Sequence, residues 1–163
     1  MEKSKIDWTD GPIEGCRIKQ LDVHTDERGW LAEVFRHDEL DDDLHPAMGY
    51  VSLTEVGVAR GPHAHREQTD LFVFASGAFR LYLWDAREDS ATYGHRQTHD
   101  VGAETPTRAV VPPGVVHGYR NTGDAPGLIV NCPNRLYAGE NRAEPVDEIR
   151  YEERTSDHPF VMD

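Results

Sequence analysis

Residues 61–77 read GPHAHREQTDLFVFASG. Side chains two apart in a strand point to the same face, so we expect His63 and His65 to project into one space. Asp70 begins the apolar run that follows the two histidines and can reach that space from a neighbouring strand. The stretch therefore predicts a polar site built on adjoining β-strands.

A second stretch, residues 112–121, reads PPGVVHGYRN. Its Pro/Gly turn delivers His117 at the start of a strand. A single histidine on a strand is most often a surface residue or a satisfied core residue. Joint placement with His63, His65 and Asp70 reverses that expectation, and we predict that His117 lines the same site.

The rest of the chain predicts an all-β fold. Short runs rich in Val, Leu, Phe and Tyr recur between clusters of Gly, Pro, Asp and Asn, and helical periodicity is scarce. Many short, evenly spaced strands favour a sandwich or barrel, and a jelly roll closes most of its edges. The predicted strands are residues 18–24, 30–35, 50–54, 71–75, 78–84, 95–101, 108–111, 118–121 and 128–132. The acidic segment 37–46 is predicted to be a loop or short helix.

The 163 residues predict one domain, with a core over about residues 18–133 and a charged C-terminal arm over about 134–163. The formal charge of −13 argues against nucleic acid and anionic membranes as partners. No stretch approaches the roughly 20 apolar residues of a membrane span. Cys16 and Cys132 show no paired spacing, so we expect reduced thiols and a cytoplasmic protein.

The two motifs resemble those of the cupin superfamily. Its first motif is HxH, a short spacer, an acidic residue, six residues and Gly, and its second is PxG, two residues, His, three residues and Asn. Asp70 stands where glutamate is commoner, and Pro106 stands where the second motif usually begins with glycine. The resemblance implies a double-stranded β-helix, the cupin jelly-roll barrel, with the site at its mouth.

Further stretches resemble the epimerases and isomerases that act on nucleotide-linked 4-keto-6-deoxysugars, of which the dTDP-4-dehydrorhamnose 3,5-epimerase family is the best-known type. The resemblance covers most of residues 18–150. The matching text is residues 26–33 (DERGWLAE), Ser52, residues 57–63 (GVARGPH), residues 112–119 (PPGVVHGY) and residues 137–140 (YAGE).

This resemblance implies that His63 is the general base and Tyr137 the general acid on the opposite face of the sugar. Arg28 and Arg60 would hold the diphosphate. The implied substrate-binding residues together are Arg28, Glu33, Ser52, Arg60, His117 and Tyr119. The resemblance further implies a nucleotide-diphosphate sugar as ligand, no required cofactor and a homodimer. It also implies a carboxylate that orients His63, but neither Asp157 nor Asp163 in the tail aligns with it.

The implied chemistry suits these residue types. Removing a proton beside a ketone gives an enolate, so the enzyme needs a base that works near neutrality, stabilisation of the oxyanion and an acid on the other face. Histidine supplies the base, and the hydroxyl of tyrosine can return a proton from the opposite side. That sequence of steps inverts the carbon.

Three alternatives stay open. The His-Ala-His text at residues 63–65 resembles the 3,4-ketoisomerases of the same group, and Asp70 stands where the 3,5-epimerases carry a lysine. His63, His65, Asp70 and His117 also form a three-nitrogen, one-carboxylate set suited to divalent Fe, Mn, Ni or Zn. In that metal-dependent cupin His63 would be a ligand rather than a base. The third alternative is a non-catalytic sugar-binding cupin.

Overall fold

A computed structural model of the chain describes residues 6–152 and 158–163. Almost all regular structure in these residues is β-strand, which confirms the all-β prediction. The strands are β1 Thr9–Asp10, β2 Arg17–Gln20, β3 Val23–Asp26, β4 Gly29–Ala32, β5 Tyr50–Thr54, β6 Ala59–Ala64, β7 Asp70–Phe74, β8 Ala78–Trp84, β9 His95–Gly102, β10 Thr107–Val111, β11 Val116–Asn121, β12 Gly127–Asn131 and β13 Ile149–Arg150. Three short 3₁₀ helices lie at His37–Glu39, Asp42–Leu44 and Glu140–Arg142.

Two main sheets face each other. One has the strand order β1-β9-β8-β11-β6-β13, and the other has the order β2-β10-β7-β12-β5. Apart from the parallel β1–β9 pair, neighbouring strands are antiparallel. From β9 to β12 the chain alternates between the two sheets, as a jelly roll requires. Strands β3 and β4 form a separate hairpin outside both sheets.

Apolar side chains from both sheets meet between them. Phe72 and Phe74 on β7 pack with Phe79 on β8 and Tyr119 on β11, and edge-to-face contacts link Tyr119 to the three phenylalanine rings. Leu40 and Leu44, from the segment predicted as a loop or short helix, cover the outer face of the five-stranded sheet. The inner core thus ends at Tyr119 and Phe72, and the site begins beside them.

Strand β6, which carries the first histidine motif, was absent from the predicted strands. Gly61 and Pro62 favour a turn in isolation, but pairing with β11 on one side and β13 on the other holds this segment extended. Gly61 has a φ of 86°, and a Cβ atom there would lie 2.7 Å from the main-chain oxygen of His117. The close approach of β6 to β11 therefore requires glycine at this position.

Two other predicted strands are longer than the strands observed. The segment 18–24 is two strands, because Leu21 turns inward between them and its N–H donates to the oxygen of Pro106 at 2.7 Å. The segment 30–35 ends as a strand at Ala32, after which the chain leaves the hairpin.

Both ends of the chain join the six-stranded sheet. Strand β1 pairs with β9 at one edge and β13 pairs with β6 at the other, and both lie outside residues 18–133. Beyond β13, Phe160 packs on Trp84 and Tyr151 across the outer face of this sheet. No helix in the described ranges 6–152 and 158–163 is long and apolar enough to cross a membrane.

Candidate functional site

The structure brings the four motif residues together. His63 on β6 and His117 on β11 are direct cross-strand partners, and their ring centroids lie 4.3 Å apart. His65 follows β6, and Asp70 opens β7 in the opposite sheet. One ligand atom from each of the four lies within 4.8 Å of the others. Strand pairing thus brings two motifs that are far apart in the sequence into one cluster.

Asp70 occupies the centre of this cluster with a fully buried side chain. Its Oδ1 accepts hydrogen bonds from Gln68 Nε2 at 2.9 Å and Asn131 Nδ2 at 2.8 Å. Its Oδ2 lies 3.1 Å from Nε2 of both His65 and His117. The carboxylate is therefore fixed from one side by amides and faces two imidazoles on the other.

Main-chain carbonyls fix the orientation of those two imidazoles. His117 Nδ1 donates to the oxygen of Val115 at 3.0 Å, and His65 Nδ1 donates to the oxygen of Asp147. A carbonyl can only accept, so both rings carry their hydrogen on Nδ1. In the neutral form of each ring the Nε2 lone pair faces Asp70.

The cluster shifts the acidity of its members in opposite directions. Burial, reinforced by the positive fields of His117 and His65, lowers the pKa of His63 to about 2. Burial also acts to lower the pKa of His65, but the hydrogen bond and charge of Asp70 outweigh it, so the pKa of His65 is raised. Burial would raise the pKa of Asp70, yet contacts with His117 and His65 hold it well below its usual range. His63 is accordingly a neutral imidazole across the physiological pH range.

A cavity of about 910 Å³ opens over the cluster at one end of the barrel. Of the predicted site residues, this cavity is lined by Ser52, Arg60, His63, His65, Tyr119 and Tyr137. Asp70 and His117 lie beneath its floor. The volume suits a small organic ligand with one part inside the barrel and another at the rim.

Polar contacts join strands β6 and β11 to strand β5 at the cavity wall. Arg60 Nε donates to Thr54 Oγ1 at 3.0 Å, and its NH2 group donates to the oxygen of Leu53 at 2.8 Å. The hydroxyls of Ser52 and Tyr119 are 3.3 Å apart. These groups present one guanidinium and two hydroxyls to a bound molecule.

Arg28 and Glu33 lie elsewhere. Arg28 sits at the tip of the β3–β4 hairpin, where its Nε donates to Asp26 Oδ2 at 3.1 Å. Glu33 follows the hairpin and pairs with Arg36 at 3.5 Å. Neither residue lines the cavity over His63 within this chain.

The C-terminal arm supplies cavity residues that sequence reasoning missed. Asp147 accepts N–H groups from Arg66, Glu67 and Gln68, and so clamps the turn between the histidine motif and β7. Glu152 accepts the N–H of Gly61 at 2.7 Å. No local pattern marks these acids, because their partners lie about 80 positions away in the chain. Only the charge-rich composition of the arm hinted at a polar role.

The two tail carboxylates considered for His63 have different outcomes. Asp157 lies outside the described residues. The main-chain oxygen of Asp163 accepts a hydrogen bond from the hydroxyl of Tyr82, which places it on the outer face of the six-stranded sheet.

Comparisons with known proteins converge on one family. The family model described as dTDP-4-dehydrorhamnose 3,5-epimerase matches residues 10–150. The chain is 38% identical over 133 residues to the probable low-salt glycan biosynthesis epimerase Agl13 of Haloferax volcanii, covering 81% of this chain and 85% of that protein. It is 38% identical over 127 residues to the spore coat polysaccharide biosynthesis protein SpsL of Bacillus subtilis, covering 77% of this chain and 82% of that one.

Among solved structures, a dTDP sugar isomerase from Desulfovibrio desulfuricans superposes with a TM-score of 0.77 at 25% identity. The superposition covers 91% of this chain and 89% of that protein. The shared architecture therefore extends from the barrel into the C-terminal arm.

Proposed function

Because this chain belongs to the dTDP-4-dehydrorhamnose 3,5-epimerase family, we propose that it inverts carbon centres beside the ketone of a nucleotide-linked 4-keto-6-deoxysugar, with His63 as the base. The chain is an isomerase of the kind that acts on nucleotide-linked deoxysugars. The observation that carries the residue assignment is the shared cavity, which exposes His63 and Tyr137 to the same bound molecule.

His63 suits proton abstraction because it is held neutral. Burial and the neighbouring histidines keep the proton off the ring before substrate binds, so the ring can accept one from carbon, and the same lowered pKa makes it a weak base until negative charge develops beside it. The enolate formed by that transfer is an anion, and an anion beside His63 favours its protonated form. The affinity of the ring for the proton therefore rises as the reaction proceeds.

Tyr137 suits the returning proton. It follows β12 on a loop at the rim, its main-chain N–H contacts Met48 Sδ at 3.2 Å, and its side chain is 54% exposed. A phenol at the rim can reach a sugar carbon from the solvent side while His63 reaches it from the barrel side. Protonation from the face opposite to abstraction inverts the centre.

The remaining polar groups would hold the substrate. We assign Arg60 to the diphosphate, since a guanidinium binds phosphate oxygens in pairs. Ser52 and Tyr119 would bind the nucleotide or sugar hydroxyls, and His117 would support the floor beneath the sugar. Binding energy from the nucleotide would thus position the reacting carbon.

Arg28 and Glu33 would reach substrate in a dimer. Both lie on or beside a hairpin that exposes Trp30 and Leu31, and strand β5 at a sheet edge exposes Leu53. Apolar surface of this kind commonly marks a contact between proteins. We propose that the hairpin of one copy packs on the β5 edge of a second copy and carries Arg28 to that copy's cavity.

A 3,4-ketoisomerase of the same group is the second candidate. The observation that favours it is the position of His65, whose ring lies in the cavity wall 5.4 Å from that of His63. Two imidazoles on one wall could move a proton between adjacent carbons. The product distinguishes the two reactions, because only ketoisomerisation moves the carbonyl.

Epimerases of this family work without a cofactor, and the proton transfers proposed above use only side chains. The predicted metal at His63, His65, Asp70 and His117 would add a cation to the same cavity. We keep the cytoplasm as the proposed location, since Cys16 and Cys132 are both free thiols.

The experiment is deuterium exchange in deuterium oxide with dTDP-4-keto-6-deoxyglucose, followed by NMR and product analysis. Epimerisation predicts deuterium at C3, C5 or both, with the ketone still at C4. A ketone moved to C3 would establish the second candidate instead. Binding with neither exchange nor a new sugar would overturn both proposals and indicate a sugar-binding protein.

A further inference from the structure

The proposed reaction needs a hydrogen-bond donor for the oxygen of the enolate, which is not among the roles assigned to His63, Tyr137 and Arg60. When the proton beside the ketone moves to His63, the electron pair of the broken C–H bond passes to the ketone oxygen, which becomes an oxyanion. Asp70 stands where the 3,5-epimerases carry a lysine, and an ionised carboxylate accepts hydrogen bonds without donating any. Another side chain of the cavity must therefore supply the donor.

Asn131 fixes the direction of one hydroxyl in the cavity wall. This asparagine is 1% exposed, and its Oδ1 accepts the main-chain N–H of Leu71 at 3.1 Å. Its Nδ2 group donates to Asp70 Oδ1 at 2.8 Å and to the hydroxyl oxygen of Tyr50 at 3.0 Å. A flipped amide would turn its oxygen toward the carboxylate and its hydrogens toward an N–H group, so only one orientation is satisfied. The hydroxyl of Tyr50 therefore accepts from Asn131, and its own hydrogen points elsewhere.

The hydrogen of the Tyr50 hydroxyl is available to a bound molecule. Tyr50 lies on β5 directly across from Asn131, lines the cavity and is 44% exposed. Within residues 6–152 and 158–163 its hydroxyl has one hydrogen-bond partner, the amide of Asn131, and that partner uses the oxygen. Partial burial raises the pKa of Tyr50 to about 12, with a smaller contribution from the charge of Asp70, although the hydrogen bond from Asn131 acts to lower it. The hydroxyl therefore keeps its hydrogen at neutral pH and can donate it.

Tyr50 and His63 face the same space from opposite sheets. Strand β5 belongs to the five-stranded sheet and β6 to the six-stranded sheet, and both side chains line the cavity. Asn131 ties the Tyr50 hydroxyl to Asp70 at the cavity floor. Asp70 Oδ2 lies 3.1 Å from His117 Nε2, and the ring of His117 lies 4.3 Å from that of His63. A ketone whose neighbouring carbon lies against His63 can therefore direct its oxygen toward Tyr50.

We infer that Tyr50 is a further catalytic residue, whose hydroxyl donates a hydrogen bond to the ketone oxygen and holds the enolate oxygen after the proton has moved to His63. Asn131 is the positioning residue that directs this hydroxyl. The proton of Tyr50 stays on its oxygen throughout, and Tyr137 returns a proton to carbon. A donor that is fixed before the reaction stabilises the developing charge without reorganisation. This inference rests on the proposed function, since it adds a residue to the same reaction.

Deuterium exchange into the substrate measures enolate formation. Tyr50→Phe removes the hydroxyl and keeps the ring, and we expect exchange to fall about 100- to 1,000-fold while dTDP affinity stays within about threefold. Tyr93→Phe, on a loop away from the cavity, is the matched control and should exchange at the parental rate. Parental exchange by Tyr50→Phe would overturn the inference and leave the epimerase proposal standing, whereas a parent protein without exchange would overturn both.

The infrared band of the bound ketone gives a measurement that needs no turnover. The ligand is dTDP-4-keto-6-deoxyglucose labelled with ¹³C at C4, bound to His63→Asn, which lacks the proposed base. We expect the carbonyl stretch to lie at a lower frequency in this protein than in one that also carries Tyr50→Phe, because a hydrogen bond weakens the C=O bond. Equal frequencies in the two proteins would exclude the contact between the hydroxyl and the ketone.

A difluorotyrosine in place of Tyr50 covers the case in which Tyr50→Phe does not fold. It keeps the ring, the oxygen that accepts from Asn131 and the donor hydrogen, while fluorine makes the phenol more acidic. Ultraviolet absorbance follows the ionisation of this phenol, and exchange should fall with the same pKa, because a phenolate has no hydrogen to donate. Exchange that continues unchanged after the phenol has ionised would contradict the assignment.

Discussion

The main-chain oxygen of Asp147 accepts the Nδ1 hydrogen of His65, so a residue of the C-terminal arm fixes the tautomer of a histidine 82 positions earlier. The carboxylate of the same residue accepts three consecutive N–H groups from the turn after His65, at 2.8 to 2.9 Å. Asp147 therefore positions the turn that links the histidine motif to Asp70.

Replacing Asp147 should loosen that turn. We expect Asp147→Ala to lower the free energy of unfolding by about 1 to 2 kcal/mol, as when a helix loses the side chain that caps its first N–H groups. Turnover should fall more than substrate affinity, because His65 and Gln68 lose their alignment. Urea denaturation and steady-state kinetics measure the two effects. Asp124→Ala, at an exposed turn, is the control, and equal losses in both variants would argue against a positioning role.

The stability difference should also depend on pH. The bonds from the turn lower the pKa of Asp147 below its ordinary 3.8, although partial burial acts to raise it. A carboxyl with a lowered folded-state pKa stabilises the fold above the unfolded-state pKa and loses that contribution as pH falls through the folded-state value. The gap between the parent and Asp147→Ala should stay constant near neutrality and close below about pH 4. A gap that persists at pH 2 would exclude the charge as its cause.

Replacing His63, the proposed base, should stop deuterium exchange into the substrate without unfolding the protein. We expect His63→Asn to reduce deuterium incorporation at least about 100-fold and to leave dTDP affinity within about threefold. NMR measures the exchange, and calorimetry measures the binding. The control His99→Asn changes a half-buried histidine on β9 that does not line the cavity, and it should retain both. Exchange at the parental rate in His63→Asn would assign the base to another group.

Replacing Tyr137, the proposed acid, should separate proton abstraction from inversion of the carbon centre. In Tyr137→Phe we expect the inverted product to form about 100 to 10,000 times more slowly, while His63 still exchanges the substrate proton with retention. The ratio of exchanged substrate to inverted sugar measures the separation. The matched control is Tyr93→Phe, on a loop away from the cavity. A parallel loss of exchange and inversion would mean that Tyr137 acts on binding or on the loop instead.

A charge on the β5 edge should dissociate the proposed dimer. Leu53 is half exposed and lies directly across from Leu128, which is also exposed, so Leu53→Asp adds a charge to an apolar patch without disturbing the core. We expect light scattering to report a monomer and the KM for the nucleotide sugar to rise, because Arg28 of the second copy is lost. Val161→Asp, on the tail, should leave both unchanged. A Leu53→Asp protein with the parental mass would place the contact elsewhere.

Apolar-rich runs and the turn residues between them were enough to predict strands where local preference and tertiary structure agree. Residues 50–54 and 78–84 are short runs rich in apolar side chains that lie between turn residues, and strands β5 and β8 have these bounds. His63 and His117 could be linked because each stands in a recognisable motif, and His117 also directly precedes a predicted strand. In these segments the local sequence is enough to predict the structure.

Local sequence does not predict the structure where contacts with residues far away in the chain decide the conformation. Gly61 and Pro62 locally oppose a strand, and only the pairing of β6 with β11 and β13 makes one. Asp147 lies in a charged arm without periodicity, so its contacts with residues 65–68 leave no local trace. Arg28 and Glu33 were assigned by resemblance alone, and a single chain does not bring them to His63.

The edge pairing of β13 with β6 has a consequence for how the enzyme matures. The partners Arg150 and His63 lie more than half the chain apart, as do the partners Lys19 and Arg108 of the β2–β10 pair. Loop-closure entropy makes such long-range pairings late events in folding. Because β13 is also synthesised after β1 to β12, the wall that Asp147 and Arg150 add to the cavity should be among the last parts to form, and a chain in which β13 has not yet paired with β6 should lack activity.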